Sequence, residues 1–540
     1  MTAPSNRLRA PLGLAAAAAA LCLVAAAGRD FWAPDEPDFA EHVREMLGRK
    51  SLLLPYENGK PYSEKPILFY WAVAATTPFS GGDVSPLATR VPSALAAAGL
   101  VFGAAFLAGR RGGEKEALLA GAVTAVAPIV FWQGQYVQVD ALFSGLLFAA
   151  FLSLFFLEGE EGRPAARGWL WVLRVTLAAA VLTKGPLAVV LAGLVVLTRC
   201  ALRRSWGPLL ATHPIRSIFI FVALVVPWYV LAARAGGPAY AYDLVVNQNW
   251  NRFFRAFDHV QPWWFYFESV WSDFFPWTAL ALAAPVVLSR RGLFRERPEL
   301  GFSATVAGVC FAFLSFSQAK QGKYLLVAYP FAAVLVAALA GSTDRPRVGR
   351  DGARAFVRGY LGLAAVIVLV VAALLGPAVA RRAPELSGLV PYVAIPLGAG
   401  AVGTLLVLSR RRGTAPAALA LAAAVAAAEI AAGAVVLPAL DVLKTGRPFY
   451  ERIRPRVSQG QPLAYFGGTY RCYPILVLRR RTEHFKTDRA LADWVERTPG
   501  ALVLADESER QTWKDERLRS LVVLDHQRVG GDVAQLLGRP

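Results

Sequence analysis

Long apolar runs recur along this chain from residue 12 to residue 438, and they constrain its fold more than any other feature. A helix needs roughly 20 predominantly apolar residues to cross the hydrocarbon core of a bilayer, and these runs are near that length. The hydrophobic content of 56% also exceeds the usual share of a soluble domain. The chain is therefore predicted to be a mainly α-helical, polytopic membrane protein.

The apolar runs predict about thirteen crossings of the bilayer. The predicted spans cover residues 12–28, 86–108, 116–133, 139–157, 169–183, 186–202, 217–234, 269–288, 300–317, 324–340, 357–379, 391–409 and 414–438. The first could instead be a cleaved signal peptide, since Ala25 to Ala27 are small residues of the kind found at processing sites. The many later crossings favour an uncleaved first helix.

The formal net charge of +19 is explained mainly by the loops between the apolar runs. With the N-terminus in the cytoplasm, every loop assigned to that side carries arginines, as the positive-inside rule requires. These loops contain residues 110–111, 203–204, 289–299, 343–354 and 409–413. Because topology accounts for the charge, it does not indicate a nucleic-acid partner. An odd number of crossings then places the C-terminus in the periplasm of a bacterial inner membrane.

The polar segments predict two domains. Residues 1–440 form a transmembrane domain with two large exterior loops, 29–85 and 235–268. Residues 441–540 form a small periplasmic α/β domain, because the short apolar runs "PLAYFG", "ILVLRR", "ALVLADE" and "SLVVLD" alternate with helical stretches such as "DRALADWVERT".

The first exterior loop is predicted to contain two surface helices. In "DEPDFAEHVREML", Phe39, Val43 and Leu47 form an apolar stripe and Asp35 is placed as the N-cap. "PILFYWAVAATTPF" predicts a second interfacial helix. In the other large loop, Trp263, Trp264 and Tyr266 are assigned to an aromatic belt at the headgroup level.

The placement of the lysines predicts an anion-binding site. Six of the ten lysines fall in predicted exterior loops close to the membrane, where the positive-inside rule disfavours them. They are Lys50, Lys60, Lys65, Lys184, Lys320 and Lys323. Lysine is a flexible point charge that suits phosphate, so a set drawn from distant loops indicates a shared anion. For any single lysine the alternative is snorkelling, in which the stem covers apolar surface.

Two carboxylates lie on the same predicted face. Asp35 follows the first crossing and Asp140 lies at the mouth of the fourth, where an ionisable group is a functional candidate. The alternatives are a helix cap worth about 1 kcal/mol for Asp35, and a cap or a headgroup-solvated loop for Asp140. Carboxylates and cations together fit transfer from a polyprenyl-phosphate-linked sugar. The cations would hold the phosphate while a carboxylate takes the proton of the acceptor hydroxyl.

"DEPDFAEHVREML" followed by "NGKPYSEKPILFYW" resembles the first exterior loop of the aminoarabinose transferases that modify lipid A. The likeness extends to related bacterial members of the protein O-mannosyltransferase superfamily, which belong to the GT-C class of membrane glycosyltransferases. It covers roughly residues 10 to 340. It implies a glycosyltransferase that uses a polyprenyl-phosphate sugar as donor.

The resemblance also implies roles for individual residues. Asp35 would be the catalytic acidic residue, and Asp140, in the second exterior acidic motif "QVDALFS", is also predicted to be catalytic. The implied donor-phosphate contacts are Tyr62 and Lys65 in "NGKPYSEKP", Lys184 in "TKGP", Arg252 in "NQNWNRFF", and Tyr324 beside Lys320 or Lys323 in "SQAKQGKYLLVAYP".

Several points stay open on the sequence alone. The acceptor is lipid A, another glycan or a protein, because Asp38 and Phe39 stand where lipid A-modifying members carry an Arg-Tyr pair. No cofactor is predicted, and a divalent cation stays open; the lack of clustered histidines and cysteines argues against catalytic zinc. The alternative function is a transporter or flippase of a lipid-linked sugar. Transporters usually carry ionisable residues at the bilayer midplane, where this chain offers only Glu429.

Overall fold

The computed structural model describes residues 8–159, 165–251, 259–344, 351–457, 460–467 and 472–540. Two compact units make up the chain. The first unit comprises Met1–Ala26, Ser63–Phe69 and Arg90–Val436. The second unit comprises Ala27–Tyr62, Tyr70–Thr89 and Leu437–Pro540. Parts of the first exterior loop thus belong to the same unit as the C-terminal region, while the boundary at residue 440 stays a prediction.

The first unit is helical. Its α-helices are Arg9–Ala26, Pro86–Gly112, Glu114–Ala125, Pro128–Gly134, Val139–Gly159, Ala165–Lys184, Leu187–Arg203, Gly207–Leu210, Pro214–Tyr242, Phe265–Asp273, Thr278–Arg290, Leu293–Glu296, Pro298–Phe316, Tyr329–Asp344, Gly352–Arg382, Val390–Ser409 and Thr414–Ala431. Shorter 3-10 turns cover Gly322–Leu325 and Pro384–Leu389, and π-helical turns cover Asp243–Asn251 and Ala432–Val436.

Within the described residues, eight helices are long and apolar enough to cross a membrane, or up to ten if each bent pair counts as one span. The prediction of a multi-pass membrane protein is confirmed, and the count of about thirteen crossings stays a prediction.

Two predicted spans are broken by proline. The span predicted at 269–288 consists of Phe265–Asp273 and Thr278–Arg290, which are bent by 107°. Pro276 lies in the break and has no backbone N–H to continue the helical ladder. The span predicted at 116–133 is likewise bent by 65° where Pro128 begins a new helix.

The helix Tyr329–Asp344 forms the centre of the first unit. It packs against Glu114–Ala125, Thr278–Arg290, Pro298–Phe316 and Thr414–Ala431, and nearly all of its residues are buried. An apolar helix that is covered on every side is typical of a protein interior. The 3-10 turn Gly322–Leu325 comes just before it, so this packing also fixes the turn.

The second unit contains the surface helix predicted in the first exterior loop. It spans Asp35–Gly48, but its N-cap is Pro34 and Asp35 is its first residue, so the predicted capping role of Asp35 is wrong. Val43 of the predicted stripe is fully buried, together with Ala40 and Met46, whereas Phe39 and Leu47 are only partly buried. A hairpin of strands β1 (Tyr56–Glu57) and β2 (Lys60–Pro61) follows. Asn58 and Gly59 have the positive φ angles that a tight two-residue turn requires.

The second predicted interfacial helix is short, Leu68–Ala74, with a 3-10 turn at Thr77–Ser80.

The C-terminal region forms the predicted small α/β fold. Strands β3 (Leu463–Phe466), β4 (Glu483–Phe485), β5 (Leu502–Asp506), β6 (Val522–Val529) and β7 (Asp532–Gly538) form one sheet in the order β4-β3-β5-β7-β6. Strand β3 pairs in parallel with β4 and β5, and β7 pairs antiparallel with β5 and β6.

Short helices complete this part of the second unit: Leu437–Ala439, Asp441–Lys444, Arg447–Ile453, Tyr473–Leu478, Asp488–Arg497, Glu507–Arg510 and the 3-10 turn Glu516–Ser520. The run "ILVLRR" is mostly helical instead of a strand. Pro474 in the first turn favours a helix start, and periodicity cannot distinguish a short buried helix from a strand.

Candidate active site

Two helix ends bring opposite charges together in the first unit. Asp140 lies in the first turn of Val139–Gly159, where the helix dipole favours a carboxylate. Lys184 is the last residue of Ala165–Lys184, where the dipole favours a cation. The Lys184 ammonium donates a hydrogen bond to Asp140 Oδ1. The side chain of Asp140 is only 6% exposed and that of Lys184 only 15%, so this ion pair is largely shielded from water.

Further predicted phosphate-binding residues surround this pair. Lys323 Nζ lies 3.7 Å from Asp140 Oδ2. Lys184 Nζ lies 4.0 Å from the centroid of the Tyr324 ring, a cation–π distance. Lys65 is near enough for its charge to act on Asp140, and its ammonium also lies 4.0 Å from Glu64 Oε2. The structure thus brings Asp140, Lys65, Lys184, Lys323 and Tyr324 together, and we call this group the lysine cluster.

Lys320 has a different environment from Lys323. Its side chain is buried, and its ammonium donates a hydrogen bond to the carbonyl of Gln261 at 3.0 Å. Its backbone N–H donates to the carbonyl of His259 at 3.0 Å. Burial lowers the pKa of the Lys320 ammonium. These contacts join residues 259–261 to the loop before Gly322, so between the two lysines Lys323 is the better placed for a phosphate.

Three residues near the cluster were not predicted as site residues. Asp273 Oδ2 accepts a hydrogen bond from the Tyr329 hydroxyl at 3.1 Å. The hydroxyl of Tyr266 donates to the carbonyl of Gln321 at 3.3 Å. Tyr266 is fully buried, so its assignment to the aromatic belt is wrong, whereas Trp263 and Trp264 are exposed as a belt requires. Pro276, which lies just after the helix that ends at Asp273, was the sequence feature that could have indicated a site at this break.

The turn that carries Lys323 depends on a close approach at Gly322. A Cβ atom added there would lie 2.5 Å from Asp273 Oδ2, closer than non-bonded atoms can approach. We expect Gly322→Ala to weaken binding of a polyprenyl phosphate, the ligand predicted from the sequence, about tenfold, since overpacking costs roughly 1–3 kcal/mol. Isothermal titration of the purified protein would measure this. Gly308→Ala is the matched control, because its added Cβ meets no atom within 4 Å; equal affinities of the two variants would contradict the prediction.

Asp35 and Tyr62 belong to the second unit. Asp35 is partly buried in an acidic first turn with Glu36 and Asp38. The carboxylate of Glu36 accepts the backbone N–H of Trp32 at 2.8 Å and so has a structural partner. The Tyr62 ring packs against His42, with ring centroids 4.1 Å apart. Arg252 lies outside the described residues.

His42 forms the centre of a buried polar group in the second unit. Its Nε2 lies 3.8 Å from Glu57 Oε2 and 4.0 Å from Cys472 Sγ. Burial raises the pKa of the Cys472 thiol well above its usual value, so this cysteine is not a reactive nucleophile. Throughout the described residues, no group of three or more His, Cys, Asp or Glu side chains is placed to hold a metal ion.

Comparisons with known proteins agree with this architecture. The family model of dolichyl-phosphate-mannose-protein mannosyltransferases matches residues 9–235. A relative from Serratia proteamaculans, named undecaprenyl phosphate-alpha-4-amino-4-deoxy-L-arabinose arabinosyl transferase, is 29% identical over 350 residues. That match covers 64% of this chain and 61% of the relative. A relative of the same name from Pseudomonas fluorescens is 26% identical, with 55% of this chain and 51% of the relative covered. The chain thus spans about half to three fifths of these relatives.

Solved structures show the same fold. The crystal structure of ArnT from Cupriavidus metallidurans bound to undecaprenyl phosphate matches with a TM-score of 0.74 at 19% identity, over 97% of both chains. The apo oligosaccharyltransferase of Archaeoglobus fulgidus matches with a TM-score of 0.55 at 12% identity, over 92% of this chain and 69% of that one.

The chain therefore shares the fold of this ArnT structure, with apolar helices long enough to cross a membrane and a small C-terminal sheet. Residues 9–235 thus resemble the protein mannosyltransferase family, and the chain resembles the arabinosyl transferases named above over about three fifths of its length.

Proposed function

We propose that this protein is a glycosyltransferase that moves a sugar from a polyprenyl-phosphate donor to an envelope acceptor: lipid A, another glycan or a protein. The lysine cluster around Asp140 is the observation that carries the proposal. The names of the relatives support sugar transfer rather than the transport alternative. A pentose fits those names.

The charge of the cluster suits the reaction. Three lysines and one carboxylate give it a formal net charge of +2. A polyprenyl-phosphate sugar is a phosphodiester with one negative charge. When the bond between the anomeric carbon and the phosphate oxygen breaks, that oxygen keeps the electron pair and the product monoester carries nearly two charges at neutral pH. A fixed cationic site therefore stabilises the departing phosphate more than the bound donor, which lowers the barrier to transfer.

Asp35 is assigned the role of general base for the acceptor hydroxyl. The acceptor hydroxyl attacks the anomeric carbon, and its proton passes to the Asp35 carboxylate. One glycosidic bond forms, one phosphoester bond breaks, and the proton remains on the carboxylate until it is released. Tyr62 and Arg252 keep their predicted roles as donor-phosphate ligands. No cofactor is needed for this step, and a divalent cation would reinforce the lysines rather than replace them.

The protein is placed in a bacterial inner membrane with its N-terminus in the cytoplasm and its C-terminal domain in the periplasm. The arginine runs in the loops assigned to the cytoplasm support this orientation. Donor sugars that are activated on a lipid carrier suit a compartment without nucleotide sugars.

Mass spectrometry of lipids and envelope glycans from cells that lack the protein tests this function. We expect one polyprenyl-phosphate sugar to accumulate and the same sugar to disappear from one acceptor, which names both substrates. Complementation with the wild-type gene should restore both signals, and a gene encoding Lys65→Ala should restore them poorly. If deletion changes neither the lipid-linked sugars nor the acceptors, the proposed function is wrong.

A further inference from the structure

The C-terminal part of the second unit contacts the residues that come just before Asp35. Asp441 Oδ1 accepts the backbone N–H of Asp30 at 3.0 Å and the indole N–H of Trp32 at 2.7 Å. The guanidinium of Arg447 donates two hydrogen bonds to the Asp30 carboxylate: Nε donates to Oδ2, and Nη2 donates to Oδ1 at 3.1 Å. Bidentate contacts of this kind set orientation as well as distance.

Further contacts continue along the same segment. The Tyr473 hydroxyl donates a hydrogen bond to the carbonyl of Phe31. The Thr445 hydroxyl donates to Asp30 Oδ2 at 3.1 Å and lies 2.8 Å from the Tyr473 hydroxyl. The backbone N–H of Ala33 points to the carbonyl of Lys444 at 3.4 Å. Residues 30–33 are therefore held through both main chain and side chains.

A contact on the other side of Asp35 completes the arrangement. The backbone N–H of Cys472 donates to Asp38 Oδ1 at 2.8 Å. Residues 441–447 and 472–473 thus hold the chain both before and after Asp35. Phe31, Trp32 and Tyr473 are each less than 5% exposed, so these contacts are made away from bulk water, where hydrogen bonds are stronger.

The start of the Asp35 helix needs such external support. Its N-cap is Pro34, which makes no side-chain capping hydrogen bond. The first N–H groups of an α-helix have no partner within the helix, so an uncapped first turn frays readily. The direction of the Asp35 side chain therefore depends on what holds residues 30–33 and 38.

We propose that Asp441, Arg447 and Tyr473 are positioning residues, through which the C-terminal domain fixes the carboxylate of Asp35 for the transfer reaction. This role rests on the proposed function, in which Asp35 accepts the proton of the acceptor. It gives the C-terminal domain a task in catalysis: it orients the Asp35 helix, while the donor phosphate is bound by the lysine cluster of the first unit.

Purified full-length protein in lipid nanodiscs tests the proposal with Arg447→Gln and Asp441→Asn. We expect kcat to fall about 10- to 100-fold, since small displacements of a reacting group are costly in rate. The donor KM should change much less than kcat, because the lysine cluster is intact. Amide hydrogen exchange of residues 30–38 should be faster than in wild type. Arg447→Lys should recover part of kcat, since it keeps the charge but loses the planar fork.

Arg452→Gln is the matched control. Arg452 lies on the same helix, Arg447–Ile453, but pairs with Asp525 at 3.0 Å on strand β6. We expect its kcat and the exchange of residues 30–38 to match wild type. In the double variant Asp30→Asn/Arg447→Gln, kcat should fall no further than in Arg447→Gln alone, because the two residues act as a pair.

The outcomes separate this inference from the proposed function. Unchanged kcat and unchanged exchange in Arg447→Gln, or an equal loss in Arg452→Gln, would overturn the positioning role. A rise in KM without loss of kcat would do the same. If wild-type protein transfers no sugar, the proposed function fails, while faster exchange of residues 30–38 would still show that Arg447 holds the segment.

Discussion

Asp35→Asn is expected to lower the turnover number by about 10²- to 10⁴-fold, the range that a general base contributes. Asparagine has nearly the same shape as aspartate but cannot take a proton from the acceptor hydroxyl. Affinity for undecaprenyl phosphate should remain unchanged, because Asp35 is not one of the residues of the lysine cluster. Initial rates of sugar transfer and titration with undecaprenyl phosphate, both on purified full-length protein, measure these two quantities.

Asp83→Asn is a suitable control for loss of a carboxylate in the same unit. Asp83 is exposed and pairs with Arg479 at 2.8 Å, and the contacts of that arginine and of the Val84 N–H lower the pKa of its carboxyl although burial opposes them. An exposed ion pair contributes little, so turnover and thermal stability should match wild type. Near wild-type turnover of Asp35→Asn, with its thermal unfolding unchanged, would mean that another group takes the proton.

The lysine cluster could be predicted from the sequence because its members break a general rule. Lys184 and Lys323 were predicted to lie in exterior loops, where a membrane protein of this kind should have few cations. Asp140 was equally visible as a carboxylate at the edge of an apolar run. Each signal is local, so one sequence is enough to detect it.

Long-range contacts in the second unit could not be predicted, because no local sequence pattern indicates them. Asp30 and Arg447 are 417 residues apart, and neither stands out in composition or periodicity. Lys320 and Lys323 looked equivalent in "SQAKQGKY", yet only the fold shows that Lys320 is engaged by Gln261. The burial of Tyr266 also depends on tertiary packing, which an aromatic-rich stretch does not reveal.

Local sequence patterns also predicted the wrong secondary structure where the same residues suit two kinds of element. The run "ILVLRR" suits a strand and a buried helix equally well, and its packing in the second unit selects the helix. Pro276 was available as a helix-breaking signal, but the length of the apolar run from 269 to 288 outweighed it. The fold class therefore followed from the sequence more reliably than the continuity of individual helices.

Lys184→Ala is expected to weaken the binding of undecaprenyl phosphate about 10- to 100-fold, the equivalent of one charge-assisted hydrogen bond. It should also destabilise the protein, because Asp140 is buried and loses its hydrogen-bonded partner. The decrease in the free energy of unfolding should be smaller than the roughly 3–5 kcal/mol typical of a broken buried ion pair, since Lys323 remains 3.7 Å from Asp140. Titration and thermal unfolding in nanodiscs measure the two effects.

The double variant Lys184→Met/Asp140→Leu separates these effects. Replacing a buried ion pair by apolar residues of similar volume is often neutral for stability, so we expect the unfolding temperature to recover. Affinity for undecaprenyl phosphate should stay low, because the cation is still missing. Lys115→Ala is the control for lost positive charge: Lys115 is exposed in the first turn of Glu114–Ala125, and its loss should leave affinity unchanged. Should the double variant regain wild-type affinity, Lys184 would serve only to neutralise Asp140, and phosphate binding would have to be reassigned to Lys65 and Lys323.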